Sequence, residues 1–388
     1  MILLPDVLKP AGVATAALLA GLVLAGCTAK ESKTSEAAGS AAPINVDASD
    51  NACALSATKA GTGPSTFVIT NNGSKATEFY VYGEGDRVMG EVENISPGLQ
   101  RKLVVNLTQP GTYKTACKPG MIGDGIRGDF TVTGQAVKVA DDAQVRQGAE
   151  DYKRYVVSQA DELVPATEAF AAAIKAGDVA KAKALYPTTR TYWERIEPVA
   201  ESFPNDLDPR VDLREADLTA GQKWTGFHRL EKDLWVTGLQ PDSAAVADQL
   251  VADVKELNAG VKAPEWTIDV TQIAGGAQGL LDEIAATKIT GEEDIFSHTD
   301  LWDFDANVEG SRTAVASVRP ILDERNPDLG KRVDQRFADV EALLAKYRDG
   351  DGFVLYTTVN EPQRKELSRA IDTLSKEVSQ VQGVVAPQ

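Results

Sequence analysis

Two hydrophobic patterns divide the chain. The first consists of short β-branched and aromatic segments separated by turn signals such as Asn71-Asn72-Gly73 and Pro110-Gly111. The segments are TFVIT at 66–70, EFYVY at 78–82, KLVVNL at 102–107, TYKTAC at 112–117 and DFTVTG at 129–134. Short strands at regular spacing are typical of a β-sandwich or barrel. We therefore predict an all-β sandwich over residues 51–140.

Beyond residue 140 the strand pattern gives way to long helical stretches. Gly or Pro separates them, as at Gly177, Pro204, Gly275-Gly276 and Pro320. The predicted helices are Ala143–Ala176, Thr189–Phe203, Lys223–Val236, Ser243–Ala259, Gly279–Thr287, Leu301–Val318, Lys331–Arg348 and Glu361–Val381. This pattern predicts an all-α helical bundle over residues 141–388. The fold class is thus multidomain, all-β followed by all-α.

The N-terminal segment has the features of a targeting signal. An apolar run, Ala11–Leu24, ends in the residues LAGC, and Cys27 is the last of these. A short apolar core ending in small residues predicts a secretory signal peptide, residues 1–26. The LAGC ending resembles the bacterial lipobox, which implies lipid attachment at Cys27 and a position on the outer face of the cytoplasmic membrane. Residues 27–50 are small and polar and predict a flexible tether.

The charge balance restricts the class of partner. The chain of 388 residues has a net charge of −17. An acidic surface repels nucleic acid, so DNA and RNA are poor candidates, whereas cations are attracted.

Cys53 and Cys117 have two interpretations. In an oxidising compartment they would form one disulfide. Alternatively, they would be a pair of thiolate ligands for a soft metal. The sequence leaves both open.

The segment GFHRLEKDLW at 226–235 contains the strongest candidate for metal chemistry. His228 is one of two histidines in the protein, and Glu231 follows three residues later. Residues three apart share one face of a helix, so imidazole and carboxylate could point at one metal ion. Iron and zinc are the usual occupants of such nitrogen and oxygen sites.

Several acids elsewhere in the helical region could complete such a site. In a helical bundle, metal ligands converge from separate helices. The candidates are Glu194 and Glu197 in one segment, Asp212 and Glu215 in the next, and His298, Asp300, Asp303, Asp305 and Glu309 in a third.

The β segment is similar to the cupredoxin family in its order of strands, turn and Cys117. Glu78 stands where that family has its first histidine, and the segment contains no histidine. Blue-copper chemistry needs two imidazoles and a thiolate, so we exclude it here. A different site for copper or iron would use Cys53, Cys117, Glu78 and Glu91. The alternative is a disulfide-linked sandwich with both glutamates solvated.

Four further motifs are shared with one family across most of the chain. They are ERIEPVAESF at 194–203, TGFHRLEKDLW at 225–235, GEED with SHTDLWDF and ANVEG at 291–310, and AKYR with DGF at 345–353. They resemble the EfeO family of bacterial iron-uptake proteins, which joins a cupredoxin-like domain to an imelysin-like bundle. The resemblance implies a lipid-anchored protein that captures iron and delivers it to an iron permease, alongside a haem peroxidase.

The same resemblance implies a set of metal ligands. In the helical domain these are His228 and Glu231, followed by Glu197, Glu194 and Asp305. In the β domain they are Cys53, Glu78, Glu91 and Cys117. We expect iron in the helical domain and copper or iron in the β domain.

Two other function classes remain as alternatives. Imelysin-like domains are grouped with metallopeptidases, but zinc peptidases commonly use His-Glu-x-x-His. No histidine lies four residues from His228, so a peptidase would have to recruit His298. A structural lipoprotein without metal is the third reading. We expect a binding protein rather than an enzyme.

Overall fold

A computed structural model describes residues 42–136, 143–203, 205–218 and 221–386. The predicted signal peptide, Cys27 and most of the predicted tether lie outside the described residues. None of the helices within the described ranges combines the length and apolar character needed to cross a bilayer.

The β region is a sandwich of two sheets. Its strands are β1 (Ile44–Ala48), β2 (Cys53–Leu55), β3 (Lys59–Gly61), β4 (Gly63–Asn71), β5 (Thr77–Tyr82), β6 (Val88–Ile95), β7 (Gln100–Leu107), β8 (Gly111–Pro119) and β9 (Ile126–Thr133). One sheet has the order β2-β1-β4-β7 and the other β3-β9-β8-β5-β6. Because β1 precedes residue 51, the sandwich begins inside the stretch that we assigned to the tether.

The sandwich core follows the alternation that the sequence predicts. Along β4, buried residues alternate with more exposed ones, and Phe67 packs against Phe79 and Phe130 in the core. Strand β5 is buried at every position. One of its faces lies on this core and the other, with Tyr80 and Tyr82, faces the helices.

Cys53 and Cys117 form a disulfide that joins β2 of one sheet to β8 of the other. Phe79 lies opposite Cys117 in the β5–β8 ladder, and Glu78 lies opposite Lys118. Since successive strand residues face opposite sides, Glu78 points away from the disulfide. Glu91, opposite Tyr80, is on that same outer side. The predicted four-residue metal site is therefore wrong: its sulfurs are bonded to each other and its glutamates lie across the sheet.

The helical region contains ten α-helices among the described residues. They are α1 (Ala143–Lys175), α2 (Val179–Glu194), α3 (Leu207–Asp212), α4 (Gly226–Lys232), α5 (Ser243–Lys262), α6 (Val270–Glu283), α7 (Asp300–Arg325), α8 (Pro327–Leu344), α9 (Glu361–Val378) and α10 (Val381–Val385). A hairpin of two short strands, β10 (Arg348–Asp349) and β11 (Gly352–Phe353), precedes α9. One continuous apolar core runs through the bundle.

Two of the predicted helix breaks lie inside helices. Gly275-Gly276 is within α6, and Pro320 is within α7. A Cβ on Gly275 would lie 2.7 Å from Nε2 in the side chain of Gln382. Gly275 is therefore a point of close helix packing rather than a helix end.

The outer face of the β5–β6 sheet lies against the helical region. On β6 the Val88 carbonyl accepts a hydrogen bond at 3.0 Å from the side chain of Gln272 on α6, and on the neighbouring strand β7 the Val104 amide donates one at 2.9 Å to the side chain of Gln382. The Tyr80 hydroxyl lies 3.0 Å from Glu78 Oε2 and also contacts Glu201, in the 3₁₀ turn Glu197–Ser202. This interface is polar and strongly acidic.

Removal of the disulfide should destabilise the protein. Cys53 and Cys117 are 64 residues apart, and closing a loop of that length is worth about 4 kcal/mol by the chain-entropy argument. We expect the double variant Cys53→Ser/Cys117→Ser to lose most of this amount in urea unfolding. Reduced parent protein should behave like the double variant, and a loss below about 1 kcal/mol would contradict the assignment.

Glu78 should make stability depend on pH. Burial, and then repulsion from Glu201, raise the pKa of Glu78 to about 8, although Lys118 opposes the shift. Between its ordinary pKa of 4.5 and 8, the folded state therefore retains a proton that the unfolded chain has lost, so stability falls as pH rises. Glu78→Gln should gain on the order of 1–3 kcal/mol relative to the parent between about pH 5 and about pH 8.5.

Urea unfolding at both pH values measures this difference. Glu84→Gln is the matched control, because Glu84 is exposed on the same domain. A stability difference between Glu78→Gln and the parent that is the same at both pH values would refute the raised pKa.

Candidate metal centre

His228 is held in the interior by the way α4 begins. Gly226 has φ +88°, and a Cβ there would lie 2.1 Å from the Val211 carbonyl oxygen. Only glycine lets α4 start directly on α3 in this left-handed conformation. The contact brings His228, 1% exposed, beside Asp212 at the end of α3.

One ring nitrogen of His228 faces two carboxylates. Its Nε2 lies 3.4 Å from Asp212 Oδ1 and 3.3 Å from Glu293 Oε1. This buried Nε2 has no hydrogen-bond partner. With ligand bonds of about 2.0–2.2 Å, neighbouring ligand atoms around a metal are roughly 3–3.5 Å apart. Nε2 therefore lies at ligand-to-ligand spacing from both oxygens, and one ligand atom each of Asp212, His228 and Glu293 lies within 4.8 Å of the other two.

The other ring nitrogen is held by Glu231. The Nδ1 of His228 lies 3.3 Å from Glu231 Oε2 and 4.0 Å from Asp294 Oδ1. Glu231 Oε1 accepts hydrogen bonds from the amides of Phe296 at 3.0 Å and Ser297 at 2.6 Å. A carboxylate that accepts the Nδ1 proton leaves Nε2 free to bind metal. The two motif residues thus touch each other across Nδ1, and Glu231 is placed to orient the ring.

Arg190 lies at the centre of the surrounding carboxylates. This guanidinium is fully buried and its Nε lies 2.9 Å from Asp303 Oδ2. It also contacts Glu194, Asp212, Glu293 and Asp294. Five carboxylates from four separate chain segments are therefore gathered around one cation.

Lys288 is the second fixed cation of the cluster. Its Nζ lies 3.3 Å from Glu194 Oε2 and 3.5 Å from Glu293 Oε1, and it is fully buried. It also contacts Glu283 at 3.2 Å, at the end of α6.

The carboxylates outnumber the cations. Among the described residues, the cluster contains Glu194, Asp212, Glu231, Glu293, Asp294 and Asp303. Against these stand Arg190, Lys288 and Arg214, so the ionised carboxylates would exceed the positively charged side chains by two even with His228 protonated. Buried charge without a partner is costly, so the cluster favours one further cation.

The pKa values reflect this imbalance. Burial and Arg190 lower the pKa of His228, but Asp212, Glu231 and Glu293 outweigh them and raise it to about 10. Burial raises the pKa of Glu194 to about 7 in spite of Lys288 and Arg190. A metal ion would take the place of these protons, because ligands bind metal in their deprotonated forms.

The predicted ligands are distributed over three places. Glu194 belongs to the Arg190 cluster. Glu197, three residues later in the chain, has a buried Oε2 that has no hydrogen-bond partner. The structure does not bring Asp305 to the cluster, because its carboxylate pairs with Arg348 at 2.6 Å. Asp303, two residues earlier and about 200° around the helix, faces the cluster instead.

Glu78 and Glu91 belong to the domain interface rather than to the His228 cluster. Glu78 Oε2 lies 3.6 Å from the Lys118 ammonium. One carboxylate oxygen each of Glu91, Glu93 and Glu201 fall within 4.8 Å of one another.

Part of the cluster lies outside the ligand set predicted from the sequence. The sequence indicates Asp212 and Asp303 only as acids that could complete a site, and helical periodicity does not single out Glu293 or Asp294. The GEED segment at 291–294 was a signal for the last two, because it forms part of the shared motif. Arg190 and Lys288 gave no signal, since a buried Arg or Lys has the same sequence pattern as an exposed one.

Two family models match the two regions of the chain. Residues 148–381 match the imelysin family (peptidase M75), and residues 16–132 match the cupredoxin-like domain family. A reduced auracyanin from Roseiflexus castenholzii is 19% identical and aligns over 25% of this chain and 100% of its own, with a TM-score of 0.21.

Curated relatives match over nearly the full length. The iron uptake system component EfeO proteins of Escherichia coli O157:H7 and of Escherichia coli strain K12 are each 42% identical over 349 residues. The alignments cover 88% of this chain and 91% of each relative. The protein therefore belongs to the EfeO family, with a cupredoxin-like region followed by an imelysin region.

Proposed function

We propose that this protein is an extracytoplasmic iron-binding protein that captures iron at His228, Asp212 and Glu293 and delivers it to a membrane iron permease. The observation that carries the proposal is the unpartnered Nε2 of His228, buried and facing two carboxylates within 3.4 Å. Mixed imidazole and carboxylate ligands suit iron, and the surplus of negative charge favours a highly charged ion.

Arg190 is suited to a site that must also release its ion. It contacts both Asp212 and Glu293, the two carboxylates that would bind metal. The guanidinium therefore keeps the ligands assembled before iron arrives. It also competes for their charge once iron is bound, which lowers the net affinity. A preassembled site of moderated affinity fits transfer to a second protein better than storage.

The proposal that the protein delivers iron to a permease rests on its family. The proposal that it is anchored to the membrane rests on its N-terminal sequence. The relatives are named components of an iron uptake system. A lipid on Cys27 would hold the protein at the outer face of the cytoplasmic membrane, near a permease and a haem peroxidase of the same system.

A metallopeptidase is the less favoured alternative. It would need a metal-bound water beside a free general base. Both oxygens of Glu231 are engaged, one by two backbone amides and the other beside Nδ1. His298 shares no group of potential metal ligands with His228 among the described residues. These contacts favour a positioning role for Glu231.

Removal of the imidazole should weaken iron binding sharply. Altering a residue that merely supports a ligand costs about 10–100-fold in metal affinity, so His228→Ala should exceed this range. Equilibrium titration of the purified chain with ferric citrate measures the effect. Asp305→Asn is the matched control and should bind like the parent, because Asp305 pairs with Arg348 away from the cluster.

Circular dichroism of both variants checks that the fold is retained. Iron affinity unchanged in a folded His228→Ala variant would remove His228 from the site and with it the proposed centre.

A further inference from the structure

A cavity between the sandwich and the bundle reaches two of the proposed ligands of the His228 centre. It has a volume of about 40 Å³, and the buried residues Asp212 and Glu293 line it. Met121, Arg214 and Asp217 line it as well and are partly exposed, so the cavity reaches the surface on their side. It therefore gives the buried centre a route to solvent.

The size and charge of this route suit a small cation. A water needs about 10–15 Å³ of such space, so the cavity admits an ion with one or two waters but no organic chelate. Clefts lined by charge of one sign concentrate ions of the opposite sign. The other acidic residues that line the cavity are Glu78, Glu93, Glu197, Asp208 and Glu283. Iron would thus pass through the cavity as the ion stripped of its carrier.

Arg214 is the basic side chain among the described residues that line this route. Its Nη1 lies 3.7 Å from Glu293 Oε2, an oxygen that has no hydrogen-bond partner. Its Nε and Nη2 lie 2.8 Å and 2.7 Å from Asp217 Oδ2. The guanidinium is therefore held closely by Asp217 and only loosely by Glu293.

Arg214 differs from Arg190 in its freedom to move. Arg190 is fully buried among five carboxylates, whereas 18% of the Arg214 side chain is exposed. A metal ion bound to Glu293 would repel the nearby guanidinium. Asp217 would then retain Arg214 at the outer end of the cavity, from which it can return to Glu293 once the ion has left.

We propose that iron enters and leaves the His228 centre through this cavity, and that Arg214 is the counterion that iron displaces from Glu293. The proposal rests on the proposed function, because Glu293 is one of the three ligands assigned there. In the empty centre Arg214 partly neutralises Glu293. When iron leaves, the return of Arg214 replaces part of the positive charge that the ion removes, and this favours release.

The rate at which the loaded full chain releases iron tests the role of Arg214. Each protein is loaded with ferric citrate, and desferrioxamine in excess then captures the released ion. Changing a residue that contacts a metal ligand typically alters metal affinity about 10–100-fold. We therefore expect Arg214→Gln to release iron at least about 10-fold more slowly than the parent. Asp217→Asn should release it faster, because Arg214 is then free to turn to Glu293.

Arg101→Gln is the matched control for the loss of one positive charge. Arg101 lies at the same interface, its side chain is 21% exposed, and it pairs with Asp282 at 3.2 Å. Neither Arg101 nor Asp282 lines the cavity. This variant should release iron at the rate of the parent, and circular dichroism checks that each variant is folded.

The outcomes separate this proposal from the proposed function. Release from Arg214→Gln at the parent rate or faster overturns the role of Arg214 and leaves the His228 centre intact. Equal slowing in Arg101→Gln overturns it too, because the effect would then be one of general charge. Should Arg214→Gln not fold, release from Asp217→Asn that is no faster than from the parent overturns the proposal. Iron binding that His228→Ala does not weaken overturns both.

Discussion

A surplus of buried negative charge around Arg190 is the constraint on which the candidate centre depends. Carboxylates from α2, α3, α7 and the segment before α7 converge on this one guanidinium. Without Arg190 and Lys288 these acids would repel one another. With them, the cluster stays assembled but remains electrically incomplete. The same interactions thus explain both why these acids meet and why the cluster favours one further cation.

The outer face of the β5–β6 sheet extends this acidity to the boundary between the two regions. Strand β5 is buried on both sides because its second face lies against the helical region. Glu78 and Glu93 occupy that face, where an isolated sandwich would leave them solvated. The cupredoxin-like region therefore contributes carboxylates to the interface, and its cysteines are used as a cross-link between sheets.

Strand alternation and helical periodicity predicted both domains, but not the exact partners of the site residues. The spacing of His228 and Glu231 placed them on one helix face, yet it could not tell which ring nitrogen Glu231 would meet. The sequence does not give the rotation of α7, so it does not show that Asp303 faces the cluster while Asp305 pairs with Arg348. Glu293 lies outside any helix or strand, where periodicity gives no information. Gly275-Gly276 predicted a break because sequence alone does not reveal close packing.

An anomalous difference map at the iron absorption edge, from crystals grown with ferric iron, tests the central claim most directly. The account predicts a peak within about 2.0–2.3 Å of His228 Nε2 and of carboxylate oxygens of Asp212 and Glu293. It also predicts that Glu231 stays on Nδ1. Iron bound elsewhere, with His228 Nε2 still facing only the two carboxylates, would contradict it.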